Sequence, residues 1–213
     1  MTSLFLDTSH CISVGLLDES WDWMGYEHLR DKKSSAIIHD KIYRLLEENN
    51  LKAKDLKNTI QVAGPGSYTG IRLSEGISQI LGWHQIKLLS FYHFEVPNFL
   101  GVEEGIWLSQ AYKGELFLYE WKQGQSKNLL LPINEAAHYL TSVKLPLFTH
   151  YLDSLHDKKG QFLLPDSMKT NIRETQLMVK NQPKELFSQL AKLEKHEEPF
   201  YYRSVDKEFK KGR

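Results

Sequence analysis

What most constrains this chain is a repeated order of element types. Three short strand signals open it: "LFLDTS" (4–9), "ISVGLLD" (12–18) and "WDWMGYEHL" (21–29), separated by hairpin-sized gaps. Ile38, Ile42, Leu45 and Leu46 then recur at helical spacing, which predicts a helix over about 34–50 capped by Ser34 or Ser35. A β-branched run at 59–63 leads through a glycine-rich loop into a helix at about 69–83, with a short strand at 86–89. About a hundred residues on, the order restarts, with strand signals at 105–112, 115–121 and 127–131 and a helix at 133–140. Apolar runs at 145–150 and 161–165 follow, and an amphipathic helix fits 183–195, with Leu186, Phe187, Leu190 and Leu193 on one face.

Two strand-strand-strand-helix-strand-helix halves, 1–98 and 99–213, make a duplicated α/β chain whose sheets are covered by helices. The actin-like/sugar-kinase (ASKHA) fold is built this way, with nucleotide held between its halves. Architecture of this kind does not assign an activity.

Charge excludes several partners. Lys and Arg number 27, Asp and Glu 27, so nothing draws the whole chain to nucleic acid or to an anionic membrane. The basic end, Lys207–Arg213, reads as a solvated terminus. One cysteine, Cys11, precludes an internal disulfide framework and suits a reducing cytoplasm. The N-terminus lacks a basic leader region, and no run approaches the roughly 18 apolar residues of a membrane span. A soluble, cytoplasmic protein is expected.

The loop Gly64-Pro65-Gly66-Ser67-Tyr68-Thr69-Gly70 resembles a phosphate cradle and fails each test for one. A Walker loop needs four residues between glycines and then Lys-Ser or Lys-Thr; here five intervene and Ile71 follows. A dinucleotide loop is one residue shorter and has an acidic residue about twenty further on. A serine elbow would place glycines two residues either side of Ser67, where Pro65 and Thr69 stand. The loop therefore reads as a turn, with Ser67 or Thr69 capping the helix that follows. Free N–H groups around Ser67 could also form a weak anion site. Along that helix Gly70, Ser74 and Ser78 form a stripe of small residues. Such a stripe admits either the chain's own sheet or a helix of another protein.

Other chemistry finds little support. None of the nine histidines stands four residues from another, and His150 and His156 read as ordinary loop residues. Glu47–Glu48, Glu103–Glu104 and Glu197–Glu198 read as solvated pairs. Asp7 is followed by "TSHCIS", with no glycine to admit a phosphate, and the matching second-half turn carries Gln110, Ala111 and Tyr112. No catalytic residue, metal or cofactor is expected.

The segments "LFLDTSHCISVGLL", "AGPGSYTGIRL" and "EEPFYYR", in that order, resemble the TsaB (YeaZ) family. That family supplies the dimerization subunit of the bacterial complex making threonylcarbamoyladenosine in tRNA. Its signature falls on Gly64, Pro65, Gly66, Ser67, Tyr68, Thr69, Gly70 and Arg72. The resemblance implies a non-catalytic subunit that pairs with a TsaD-type threonylcarbamoyltransferase. A TsaE-type ATPase docks on the pair, and tRNA is contacted only indirectly. It places the pairing surface on two helices, with Ile38, Ile42, Leu45, Gly70, Ser74, Ile77, Ser78 and Leu81 as contacts. In isolation the same face would favour a homodimer.

Two departures qualify the match: Gln110-Ala111-Tyr112 replaces the family's Asp-Ala-Arg, and Glu75, Gln79 and Trp83 interrupt a helix usually rich in glycine and alanine. Rival readings are an independent actin-like kinase or ATPase, a glycoprotease-type peptidase, and an interaction module unrelated to tRNA. Ser74→Trp separates internal from docking roles for the small stripe: a docking stripe predicts a folded monomer that cannot pair.

Overall fold

The two runs of strand signals close into two five-stranded sheets of one topology. A computed structural model of the chain describes residues 2–29, 37–111, 114–157 and 159–202. The expected caps Ser34 and Ser35, as well as Tyr112 and the basic end Lys207–Arg213, lie outside the described residues. Along the chain come β1 (Thr2–Asp7), β2 (Ile12–Leu17), β3 (Trp23–Leu29), α1 (Ile38–Glu48), β4 (Leu56–Val62), α2 (Tyr68–Trp83), β5 (Lys87–Phe91) and α3 (Val96–Phe99). Then follow β6 (Gly105–Gln110), β7 (Glu115–Lys122), β8 (Gln125–Pro132), α4 (Ile133–Val143), β9 (Leu147–Thr149), α5 (Asp166–Lys169), β10 (Ile172–Glu174), α6 (Thr175–Asn181) and α7 (Pro183–Lys192).

The sheets run β3-β2-β1-β4-β5 and β8-β7-β6-β9-β10. In each, the first three strands form antiparallel hairpins and the last two join in parallel. The duplication read from the sequence is thus present strand for strand, in the actin-like/sugar-kinase arrangement. Among the described residues no helix is long and apolar enough to cross a membrane.

Contacts divide the chain into two units, Met1–Tyr92 with Pro183–Arg213, and His93–Gln182. This differs from a division at 98/99. The last helix, assigned by sequence to the second half, packs on the first sheet instead. In that first unit β1 is buried on both faces. Leu4 and Leu6 point to one side, where Val14, Leu16, Ile38, Leu45 and Ile77 join them beneath α1 and α2. Phe5 points to the other, with Phe187 of α7 at 5.6 Å and Trp23 at 5.6 Å, ring centre to ring centre. The aromatic cluster needs that helix as its lid, since Phe91 also meets Phe187 at 6.3 Å. Leu193, expected on this apolar face, is exposed beyond the end of α7.

The second unit repeats the plan more economically. Ile106, Leu108, Leu116 and Leu118 pack with Ala136 and Leu140 of α4. Its fifth strand is not the apolar run 161–165: there Phe162 forms an isolated bridge with His156. The three residues of β10 take that place, paired in parallel with β9. Gln110 ends β6, and the Ala111 N–H donates to the Glu115 carbonyl at 2.9 Å across the turn.

Candidate protein-interaction surface

The glycine loop is filled by the chain's own backbone. Gly64 has φ +122°, and a Cβ there would lie 2.6 Å from the Phe200 carbonyl oxygen. A Cβ on Gly66 would stand 2.4 Å from the Ser9 oxygen, and one on Gly70 1.9 Å from the Thr8 oxygen. The β1–β2 turn therefore sits directly against the start of α2. Hydrogen bonds fix it there: Ser67 N–H to Ser9 O at 2.6 Å, and Thr8 Oγ1 to Gly70 O at 2.5 Å. Asp7 turns inward to accept from the Ser9 N–H at 3.0 Å and Ser9 Oγ at 2.7 Å, closing the turn on itself.

These contacts decide the cap and occupy one of the N–H groups of the expected anion site. Ser67 is the N-cap, its Oγ accepting from Gly70 N–H at a long 3.4 Å. Its own N–H, offered in the sequence reading to an anion, is donated to Ser9 instead. Because the cap bond is long and exposed, Ser67→Ala is expected to cost only about 0.5–1 kcal/mol, read as a shift in denaturant midpoint with unchanged slope.

Arg72 lies on the outer side of this first turn. Its guanidinium pairs with Glu75 at 2.6 Å and lies over the rings of Tyr68 and Tyr201 at 5.6 and 5.7 Å. The Glu75 hydrogen bond is the main cause raising the Arg72 pKa. Half-exposed, the pair is screened and contributes little to stability.

The expected contact residues separate by burial. Ile38, Leu45, Ser74, Ile77 and Ser78 are buried within the unit's own core. The Ser74 hydroxyl donates to the Ile71 carbonyl at 3.0 Å, and Gly70 abuts Thr8. The small stripe thus admits the chain's own sheet, which corrects its assignment to docking. Ser74→Trp should consequently unfold the chain rather than spare the monomer.

Ile42 and Leu81 do reach a surface groove between α1 and α2, where His39, Leu46 and Leu56 join them around a volume of ≈ 330 Å³. Three large side chains outside the expected contact set stand on these helices: Tyr43, 62% exposed, Ile80, 51%, and Trp83, 80%, the last noted in the sequence only as a departure from the family. A signal for them existed. On α2 Ile80 adds a further apolar side chain beside Leu73, Ile77 and Leu81, which already cover the core.

In the second unit the His150 ring packs on that of His93, with ring centres 3.8 Å apart, planes 38° from parallel and both residues buried. His156 Nδ1 instead meets the Leu152 carbonyl at 3.1 Å.

No family model matches the chain. It is 31% identical over 133 residues to the tRNA threonylcarbamoyladenosine biosynthesis protein TsaB of Bacillus subtilis, covering 58% of this chain and 57% of that protein. It therefore spans little more than half the length of that relative. Among solved structures it resembles YeaZ from Pseudomonas aeruginosa, with TM-score 0.53, 22% identity, and coverage of 70% of this chain and 75% of that one. A Pseudomonas aeruginosa protein described as similar to peptidase YEAZ superposes with TM-score 0.52 at 23% identity, covering 70% and 74%. At such identity these two speak for the fold alone. In aligned sequence and in fold, then, this chain resembles the TsaB (YeaZ) family.

Proposed function

We propose that this chain is a non-catalytic scaffold subunit in the formation of threonylcarbamoyladenosine in tRNA. It binds a TsaD-type catalytic subunit through the α1–α2 face and holds that enzyme in its active arrangement. The observation that carries this reading is the exposed apolar groove between α1 and α2, with Ile80, Trp83 and Tyr43 standing proud on those helices. The likeness to TsaB supplies the pathway. A stable pair would bury roughly 1,600 Å² in total, with aromatic anchors near its centre. The balanced net charge leaves most of the grip on tRNA to the partner. A TsaE-type ATPase docks on the assembled pair, the setting is the cytoplasm, and without its partner the chain self-associates through the same face.

Reconstitution tests the reading. A catalytic subunit supplied with threonylcarbamoyl donor and tRNA should gain turnover as this chain is added, reaching a plateau near equimolar ratio. The chain alone should transfer nothing and should not turn over ATP. Appreciable turnover by the isolated chain would favour the kinase or ATPase reading, and an unchanged rate on mixing would contradict the scaffold role.

A further inference from the structure

One segment ties the glycine loop to the rest of its unit. After α7 the chain turns through Glu194, at φ 48°, and runs on without helix or strand to Tyr202. It first crosses β5, the edge strand of its sheet. The Lys195 carbonyl accepts from Ser90 N–H at 3.0 Å, and Ser90 Oγ donates to the Glu197 carbonyl at 2.9 Å while accepting from Glu197 N–H at 2.5 Å. At the root Lys87 pairs with Glu194 at 2.5 Å. Tyr92 then donates to the Glu198 carbonyl at 2.8 Å, and its ring meets Phe200 at 5.5 Å.

The segment next reaches the end of β4. Phe200 N–H donates to Ala63 O at 2.8 Å, and the Phe200 carbonyl occupies the space a side chain on Gly64 would need. Finally Tyr201 packs on Tyr68 at 5.1 Å, with Arg72 over both rings. Three separate parts are thereby held by one extended strip: the sheet edge, the loop Gly64–Ser67, and the first turn of α2.

We infer that Glu194–Tyr202 is a latch that fixes the glycine loop and the first turn of α2, and so sets how α2 presents Ile80 and Trp83 to a partner. The strip has neither helix nor strand and is held mainly by single hydrogen bonds and the rings of Phe200 and Tyr201. Its bonds can therefore open well below the free energy of global unfolding. With the latch open, Ala63, Gly64 and Tyr68 lose their fixed neighbour, and the docking helix is anchored at its start only by the β1–β2 turn. A partner that requires the closed arrangement then binds with an affinity reduced by the closed fraction. The effect on pairing rests on the proposed scaffold role; the effect on the loop does not.

Hydrogen exchange on four proteins tests the latch: the full chain, a chain ending at Tyr202, a chain ending at Lys195, and the full-length Tyr201→Ala variant. The chain ending at Tyr202 keeps the latch and is the reference for the shorter one. The chain ending at Lys195 and Tyr201→Ala should each raise exchange at the amides of 63–71 by roughly tenfold or more, while α7 and β1 remain protected. The point variant retains the whole chain, so it decides the matter if the shorter one does not fold. Unchanged protection of 63–71 in Tyr201→Ala would overturn the latch. Affinity for the catalytic subunit, measured on the same proteins, should fall about fivefold or more with the latch broken. Raised exchange with undiminished affinity would overturn its coupling to docking. Failure of every form, the full chain included, to bind would instead overturn the scaffold role and leave the latch standing.

Discussion

Gly70→Ala should destabilise the chain by about 3 kcal/mol or more, whereas Gly76→Ala on the same helix should stabilise it by about 0.5–1 kcal/mol. The two substitutions add the same methyl group. At Gly70 it would lie 1.9 Å from the backbone oxygen of Thr8, and at Gly76 nothing stands within 4 Å. Relief at Gly70 cannot come from rotating a side chain, because the obstacle is backbone. The β1–β2 turn must move, which breaks the Thr8 Oγ1 bond to Gly70 O and the Ser67 N–H bond to Ser9 O. Overpacking ordinarily costs about 1–3 kcal/mol, and each lost bond adds about 1 kcal/mol. For a chain of this size 3 kcal/mol lowers the melting temperature by about 6–12 °C, readily seen by calorimetry. The control at Gly76 gains because alanine restricts the unfolded chain and favours helix. Were the loop glycines there to admit a ligand, Gly70→Ala would leave the ligand-free protein almost untouched; equal melting temperatures for the two variants would support that view.

The glycine loop illustrates what sequence can and cannot convey. Its role as a turn followed from glycine and proline chemistry, and its failure as a phosphate loop followed from spacing. Its occupants did not, because Ser9 and Phe200 are distant along the chain and no local pattern points to them. The last helix teaches the same lesson. Leu186, Phe187 and Leu190 mark an amphipathic helix, but periodicity does not say which sheet it covers, and it covers the first. The fifth strand of the second unit escaped notice because three residues, Ile172–Glu174, are too short to display alternation. The apolar run before it drew attention because Phe162, Leu163 and Leu164 follow one another, and Leu164 is buried in the unit's core without being in a strand.

Docking residues were hardest to read for a related reason. Helical spacing selects the side chains most regularly buried, and these prove to be Ile38, Leu45, Ile77 and Ser78 in the unit's own core. The exposed apolar residues lie beside that row, at Tyr43, Ile80 and Trp83. An apolar side chain in a sequence announces that it will be covered and is silent about what covers it.

The proposed pairing makes that outward row its most sensitive part. Ile80→Lys places a charge in an apolar contact while leaving the isolated fold nearly unaffected, since the side chain is half-exposed and a lysine there can keep its charge in water. Trp83→Ala removes the largest exposed anchor, a residue type that often carries 2 kcal/mol or more of binding energy, about thirtyfold in affinity. The charged variant should do worse, by about a hundredfold or more, because a lysine left unpaired in the buried contact adds its own desolvation cost.

Titration calorimetry of the TsaD-type catalytic subunit with wild-type chain and with Ile80→Lys puts the claim to its most direct test. The scaffold account requires a well-defined one-to-one association for the wild type and a loss of about a hundredfold for Ile80→Lys, with melting temperatures of the two free chains within about 2 °C. Equal affinity for the two proteins would contradict it.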